Sequence, residues 1–250
     1  MSIVASELLL YGSLNMPTDD STTAGGGIDT ATRMIFDDAT LANSVGPAPI
    51  AALSTSAGDT GGLTIYGRDA GGALVSDVIT LAGTAPVTGS QTFDRVLMVS
   101  GSHAGILTVR KGAAPQTTLA TMEVGVNVIR RPFYNVVADA AGGANKSFYE
   151  KVFLKNNNAT LTLTSASVSG SSSGLNTITD IAIESGLGGT QSVANRLTAP
   201  TGVDSFSDAN HAIGNLPATG TQAIWVKLDL TAGASPQLGT YNISILGNTT

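Results

Sequence analysis

Apolar residues in this chain recur at every second position, in short runs closed by Gly, Pro, Asn or Asp. Successive side chains of a strand point to opposite faces of the pleat, so a period of 2 is the mark of a strand with one covered face. The clearest run sets Val75, Asp77, Ile79 and Leu81 against Leu74, Ser76, Val78 and Thr80. Further strands are expected near Ile3 to Tyr11, Ala31 to Phe36, Leu63 to Gly67, Ala73 to Leu81, Thr92 to Ser100 and Ile106 to Arg110. In the second half, Phe148, Glu150, Val152 and Leu154 alternate with Tyr149, Lys151, Phe153 and Lys155, and strands follow at Ala159 to Val168, Ala223 to Leu230 and Thr240 to Leu246. Trp225 has the opposite parity to Ile224, Val226 and Leu228, so it is either a core anchor or an outer contact. A helix needs apolar residues at i, i+3, i+4 and i+7. Residues 181–197 come closest, but Gly186, Gly188 and Gly189 interrupt them.

Turn chemistry separates the runs. Arg68-Asp69-Ala70-Gly71-Gly72 supplies glycines for positive φ and reads as a hairpin, as does Gly101-Ser102-His103-Ala104-Gly105. Asn156-Asn157-Asn158 turns the chain into the strand at Ala159. The Ser/Gly stretch Ser165 to Gly174 reads as an exposed loop. Met16 to Gly27 reads as a flexible segment with Gly25-Gly26-Gly27 as its hinge.

With 250 residues, of which 42% are hydrophobic, the chain has apolar surface enough to fold despite its 30 glycines. One core serves roughly 100 to 200 residues, so two units are expected. The expected fold is all-β: two antiparallel β-sandwiches in tandem with little helix, residues 1–125 carrying the N-terminal strand and 126–250 beginning with a strand at Val126 to Val137. Gly142-Gly143 is the alternative boundary.

Charged residues are only 12% and the net charge is −6. Such a surface has no electrostatic attraction for phosphate backbones or anionic membranes, so neither nucleic acid nor membrane is an expected partner. The absence of cysteine excludes disulfides, thiolate metal sites and thiol catalysis. Glu7 precedes Leu8-Leu9-Leu10 and the first basic residue is Arg33, which is not the pattern of a signal peptide. No apolar run approaches the roughly 20 residues of a spanning helix.

Chemistry-bearing motifs are few. His103 and His211 lie in turn-like segments beside Ser102 and Asn210, without a G-x-S-x-G elbow or H-E-x-x-H spacing, so neither a serine hydrolase nor a zinc site is expected. Gly25-Gly26-Gly27 lacks the Gly-Lys-Ser/Thr of a phosphate-binding loop. Asp19-Asp20, Asp37-Asp38 and the group Asp204, Asp208, Asn210 carry the hard oxygens calcium takes, yet none has EF-hand spacing, and they read as solvated carboxylates that cap turns. Arg130-Arg131 reads as a strand-edge charge against improper pairing, or a bridge to a neighbouring subunit. No catalytic residue, metal ligand or cofactor is assigned, and the chain is read as a non-enzyme.

Tyr66-Gly67-Arg68-Asp69-Ala70-Gly71-Gly72, Thr84 to Phe93 and Phe148-Tyr149-Glu150-Lys151-Val152-Phe153 together resemble tailed-bacteriophage virion structural proteins built of Ig-like β-sandwiches. Asn195 to Pro200 and Ile224-Trp225-Val226-Lys227-Leu228 are similar in style. The resemblance implies a virion component assembled in the host cytoplasm: first a capsid decoration or cement protein, second a neck, collar or tail component. Its implied partners are other virion proteins, major capsid or neck and tail proteins, and further copies of itself. An exported Ig-like adhesion module is the rival class. The strand Ile3 to Tyr11, followed by its hinge, is expected to act as an arm that adds to a neighbour's sheet, and removal of residues 1–24 is expected to leave a folded protein.

Overall fold

The structure, a computed structural model, describes residues 2–36, 41, 47–112, 117–173, 178–235 and 240–249. Among these the chain is all-β, broken by one 3-10 turn at Ala5–Glu7. The strands are β1 (Leu8–Asn15), β2 (Ala24–Met34), β3 (Ala48–Ser54), β4 (Gly62–Arg68), β5 (Leu74–Thr80), β6 (Val87–Phe93), β7 (Arg95–Ser100), β8 (Leu107–Lys111) and β9 (Thr118–Met122). They continue as β10 (Val128–Arg130), β11 (Lys146–Asn156), β12 (Leu163–Ser173), β13 (Ile178–Ile183), β14 (Ser192–Val193), β15 (His211–Leu216), β16 (Thr221–Leu230) and β17 (Thr240–Thr249). The backbone gathers into a central unit, Thr30–Tyr134, and a terminal unit, Met1–Asp29 with Asn135–Thr250.

The central unit is a two-layer sandwich. One sheet runs β2-β10-β7-β4-β5 and the other β6-β3-β8-β9. Ile65, Ile79 and Val99 of the first face Ile50, Phe93 and Val109 of the second in one buried cluster. Each such fully buried side chain contributes about 1.5–3 kcal/mol of transfer free energy. The hairpin expected at Arg68 to Gly72 is present: Asp69 Oδ1 accepts the N–H groups of Gly71 and Ala73, both at 2.9 Å, and Gly72 takes φ 84°. The turn at Gly101 to Gly105 is not a hairpin. It carries the chain from β7 in one sheet to β8 in the other. Asp94 makes a similar switch between β6 and β7, where the sequence pattern suggested one continuous strand.

In the terminal unit the larger sheet runs β13-β16-β11-β1-β2 with β14 on β2, and the smaller runs β15-β12-β17. β11 lies between β16 and β1, which pair both its edges, and Phe148, Tyr149, Val152, Phe153 and Leu154 are all buried, so both its faces are covered as well. The parity question at Trp225 is thereby settled: its face packs with Ala24, Tyr149 and Val193.

Several expectations are corrected. The first strand starts at Leu8 rather than Ile3 and pairs antiparallel with β11, Leu8 facing Asn156 and Gly12 facing Val152. Residues 1–29 belong with the C-terminal half, and Gly125 lies inside the central unit, because strand pairing overrides sequence order. Gly25-Gly26-Gly27 is strand, not hinge. Gly25 takes φ 99° with Gln191 and Trp225 packed against it, so only a residue without Cβ fits there. Described residues of the Ser165 to Gly174 stretch belong to β12, which β15 pairs as far as Val168 and β17 pairs through Ser173, so ladder hydrogen bonds compensate for its small side chains. Val126 to Val137 contains only the short β10, which runs parallel to β2 and antiparallel to β7. β3, β9, β13, β14 and β15 were not foreseen: Pro49, the small residues of β9 and Gly214 weaken the period-2 contrast, and β13 and β14 fall in or beside residues 181–197, the stretch nearest to a helical pattern.

Candidate functional site

The segment after β14 brings three polar side chains together. His211, at the start of β15 and 5% exposed, directs Nδ1 to Asp204 Oδ2 at 2.6 Å and Nε2 to Ser207 Oγ at 3.2 Å. Asp204 Oδ1 accepts the Ile183 N–H at 2.8 Å, which orients the carboxylate. Carboxylate, imidazole and hydroxyl thus stand in the order of a hydrolytic relay. A relay needs Nε2 as the acceptor of the serine proton, yet Nε2 also lies 3.1 Å from the Ser207 carbonyl, which can only accept. The imidazole so placed links Asp204 to both oxygens of Ser207 and braces that loop. Ser207 in turn exchanges hydrogen bonds with Ile181 through its N–H at 2.9 Å and its carbonyl at 3.1 Å, laying this segment along β13. The sequence reading weighed His211 against Asn210 alone. The missed signal was the spacing Asp-x-x-Ser-x-x-x-His.

His103 is a second brace, Nδ1 facing the Gly105 carbonyl at 2.6 Å and Nε2 that of Val126 at 2.7 Å. Beside it, Asp59 accepts from Ser54 Oγ at 2.5 Å, Ala104 N–H at 2.9 Å and Gly105 N–H at 3.0 Å. The Ser54 hydroxyl first, then the two amides, hold this carboxyl below its ordinary range.

Lys151 and Glu184 form a buried ion pair beside Trp225. Burial pulls the Lys151 ammonium down from its ordinary value, and Glu184 opposes that shift. Glu184 and Asp204 both line an open depression of about 530 Å³, with Ile183, Ile213 and Gln222 among its walls. Each carboxylate already has a partner: Lys151 and Trp225 for Glu184, His211 for Asp204.

The other described acidic groups singled out in the sequence have partners of their own. Asp19 caps the turn at Ser21 and Thr22, and Asp20 pairs with Arg196 at 2.6 Å. Asp208 accepts from Tyr241 Oη at 2.8 Å, away from the Asp204 brace; burial and this bond hold the phenol above its ordinary value. Asp37 and Asp38 lie outside the described residues. Among the described residues no three His, Asp or Glu side chains converge on a possible metal position. The expectation of an edge charge at Arg130-Arg131 is corrected. Arg130 is 2% exposed in β10, between β2 and β7, with its guanidinium 4.9 Å from the Tyr134 ring centroid.

The sheet edges differ in how they end. The β13 edge is bridged by Val203 and Ser207, and β9 receives the Leu41 N–H on the Leu119 carbonyl at 2.8 Å. Asp77 of β5 accepts the N–H groups of Ser90 and Gln91 of β6 at 2.6 and 2.9 Å, tying that edge across to the other sheet. β15 is short, and its register on β12 is broken by irregularities. β17 pairs with β12 without interruption from Thr240 to Leu246, and among the described residues no strand adjoins its other side. Thr240–Thr249 contains no charged residue and no proline. Charges, prolines, irregularity and covers are the usual protections of an edge; β17 has no charge or proline, no strand among the described residues covers it, and its register on β12 is broken only past Leu246, before Asn248.

No family model matches this sequence, and no curated protein matches it. Among solved structures, the chain aligns with the infectious bursal disease virus VP2 subviral particle at 12% identity, covering 100% of this chain and 69% of that one. The TM-score is 0.17. That is too low to carry an argument about fold or function.

Proposed function

We propose that this protein is a non-enzymatic structural component of a tailed-bacteriophage particle, acting as a capsid decoration or cement protein. The observation that carries this reading is the β17 edge, ten residues without charge or proline at one rim of the three-stranded sheet β15-β12-β17. Such an edge gives affinity through main-chain hydrogen bonds and needs no charged partner, which suits a chain with 12% charged residues. The polar clusters support the same reading, because their side chains brace loops. The sequence resemblance to virion proteins supplies the setting.

The test is mass spectrometry of purified particles followed by cryo-electron microscopy of the intact particle. The expected result is density for this fold at repeated positions on the capsid lattice. Density confined to the neck or tail would replace the decoration role with that of a connector component. Absence from the particle would overturn the proposal.

A further inference from the structure

We infer that β17 is the contact between two copies of this chain, which join antiparallel across a two-fold axis at Ser244. The inference deepens the assembly reading by naming the partner of the same edge.

Two identical strands set antiparallel complement each other, because residue i faces residue j while j faces i, and the two-fold axis closes the assembly at a dimer. An edge strand carrying an off-centre charge would need an opposite charge at the symmetry-related place to pair with itself. Thr240–Thr249 carries none, and the nearest charged residue before it in sequence is Asp229.

Register follows from length and parity. Residues directly opposite each other share a face, so full overlap of Thr240–Thr249 puts the axis on Ser244 or Ile245. Along β17, Tyr241 is buried and Ile243 and Ile245 are half-buried, whereas Asn242, Ser244 and Leu246 are exposed, Leu246 at 62%. An axis on Ser244 sets Ile243 opposite Ile245 twice over and continues the covered face from one copy into the next. It also sets Asn242 opposite Leu246. An axis on Ile245 would place Ile243 against Gly247 and lose that β-branched pair.

Long-range charge marks this contact off from a charge-complementary one. The terminal unit, which contains β17, holds five basic and eleven acidic residues, net −6, while the central unit holds seven of each. Two terminal units repel, so self-association through an uncharged edge strengthens as salt screens the repulsion.

The absence of native cysteine makes cross-linking selective. Opposite Cα atoms in an antiparallel pair are about 4.5–5.5 Å apart, inside the roughly 4.4–6.8 Å span of a disulfide. Under mild oxidation Ser244→Cys is expected to give a covalent dimer. Asn242→Cys and Leu246→Cys are expected to cross-link to each other when mixed more efficiently than either does alone. Leu197→Cys, exposed in the same unit, sets the collisional background. Sedimentation should show wild-type dimer increasing with protein concentration and with salt. Ser244→Lys should weaken dimerisation by at least about tenfold, since it places two ammonium groups face to face, while Ser244→Thr should not.

Ser244→Cys dimer no greater than the Leu197→Cys background, or Ser244→Lys dimerising like wild type, would overturn the two-fold contact. These measurements use purified protein in solution. A failed dimer alongside retained particle binding would refute the contact and leave the assembly role standing, and a cross-linked dimer absent from particles would do the reverse.

Discussion

The ammonium of Lys151 lies 2.5 Å from Oε1 of Glu184, and the Trp225 indole N–H donates to the same oxygen at 2.9 Å. Lys151 has no exposed side-chain surface, Trp225 is fully buried, and the lysine directly opposes the tryptophan across β11 and β16. The lysine nitrogen also faces two rings, 5.0 Å from the Phe153 centroid and 5.7 Å from that of Trp225. Within this enclosure each charge depends on the other.

Breaking that pair should be costly. Glu184→Gln leaves a buried ammonium with its counter-charge removed and should destabilise the protein by about 3–5 kcal/mol in urea unfolding, while replacing both residues with apolar ones of similar volume should restore most of the loss. The Lys151 pKa is lowered on folding, so between its folded value and the ordinary value of 10.5 the unfolded chain binds more protons and stability rises with pH. Glu184→Gln removes the influence that holds the value up. The alkaline rise should then begin at lower pH.

Gly25 tests the close approach at the same ring. A Cβ there would stand 2.5 Å from the Gln191 carbonyl oxygen and 2.9 Å from Cη2 of Trp225, at φ 99°. Gly25→Ala should cost about 1–3 kcal/mol. Trp225 is the only tryptophan, so its fluorescence reports the disturbance directly. Gly27→Ala should be milder, because its nearest neighbour on that side is Leu14 Cδ1 at 3.6 Å.

Asp59 should govern part of the acid sensitivity of the central unit. Its carboxyl is held below the ordinary value by Ser54, Ala104 and Gly105. The stability it provides is therefore present above the unfolded-state pKa and lost as pH falls through the folded one. Asp59→Asn should lower the melting temperature at pH 7 and flatten its decline in acid. An unchanged acid profile in the variant would assign that sensitivity to other carboxylates.

Removal of residues 1–24 should not be tolerated, contrary to the expectation drawn from the sequence. β1 lies beside β11, so the deletion leaves Val152 to Asn156 without one ladder partner. Hydrogen exchange should show protection lost along that stretch, together with a lower melting temperature.

How much was legible depended on how local the cause was. The Arg68 to Gly72 hairpin could be read because Asp69 and Gly72 act within a few bonds of each other. β12 could not, because Ser169, Gly170 and Ser171 have no propensity of their own and are strand only through the pairing with β17. The Asp204, Ser207 and His211 brace was half visible: the spacing stood in the sequence, while the approach of Nε2 to the Ser207 carbonyl is a matter of geometry.

By itself the sequence determined the strand-dominated class, since a period of 2 and glycine-bearing turns are properties of neighbouring residues, and it determined that no thiol or dense charge would take part. Tertiary structure decided which strand meets which. Backbone hydrogen bonds are the same for every residue, so pairing partners are selected by packing and chain closure over long separations. That is why Leu8 faces Asn156, why Lys151 and Glu184 neutralise each other under Trp225, and why the uncharged β17 stands at an edge.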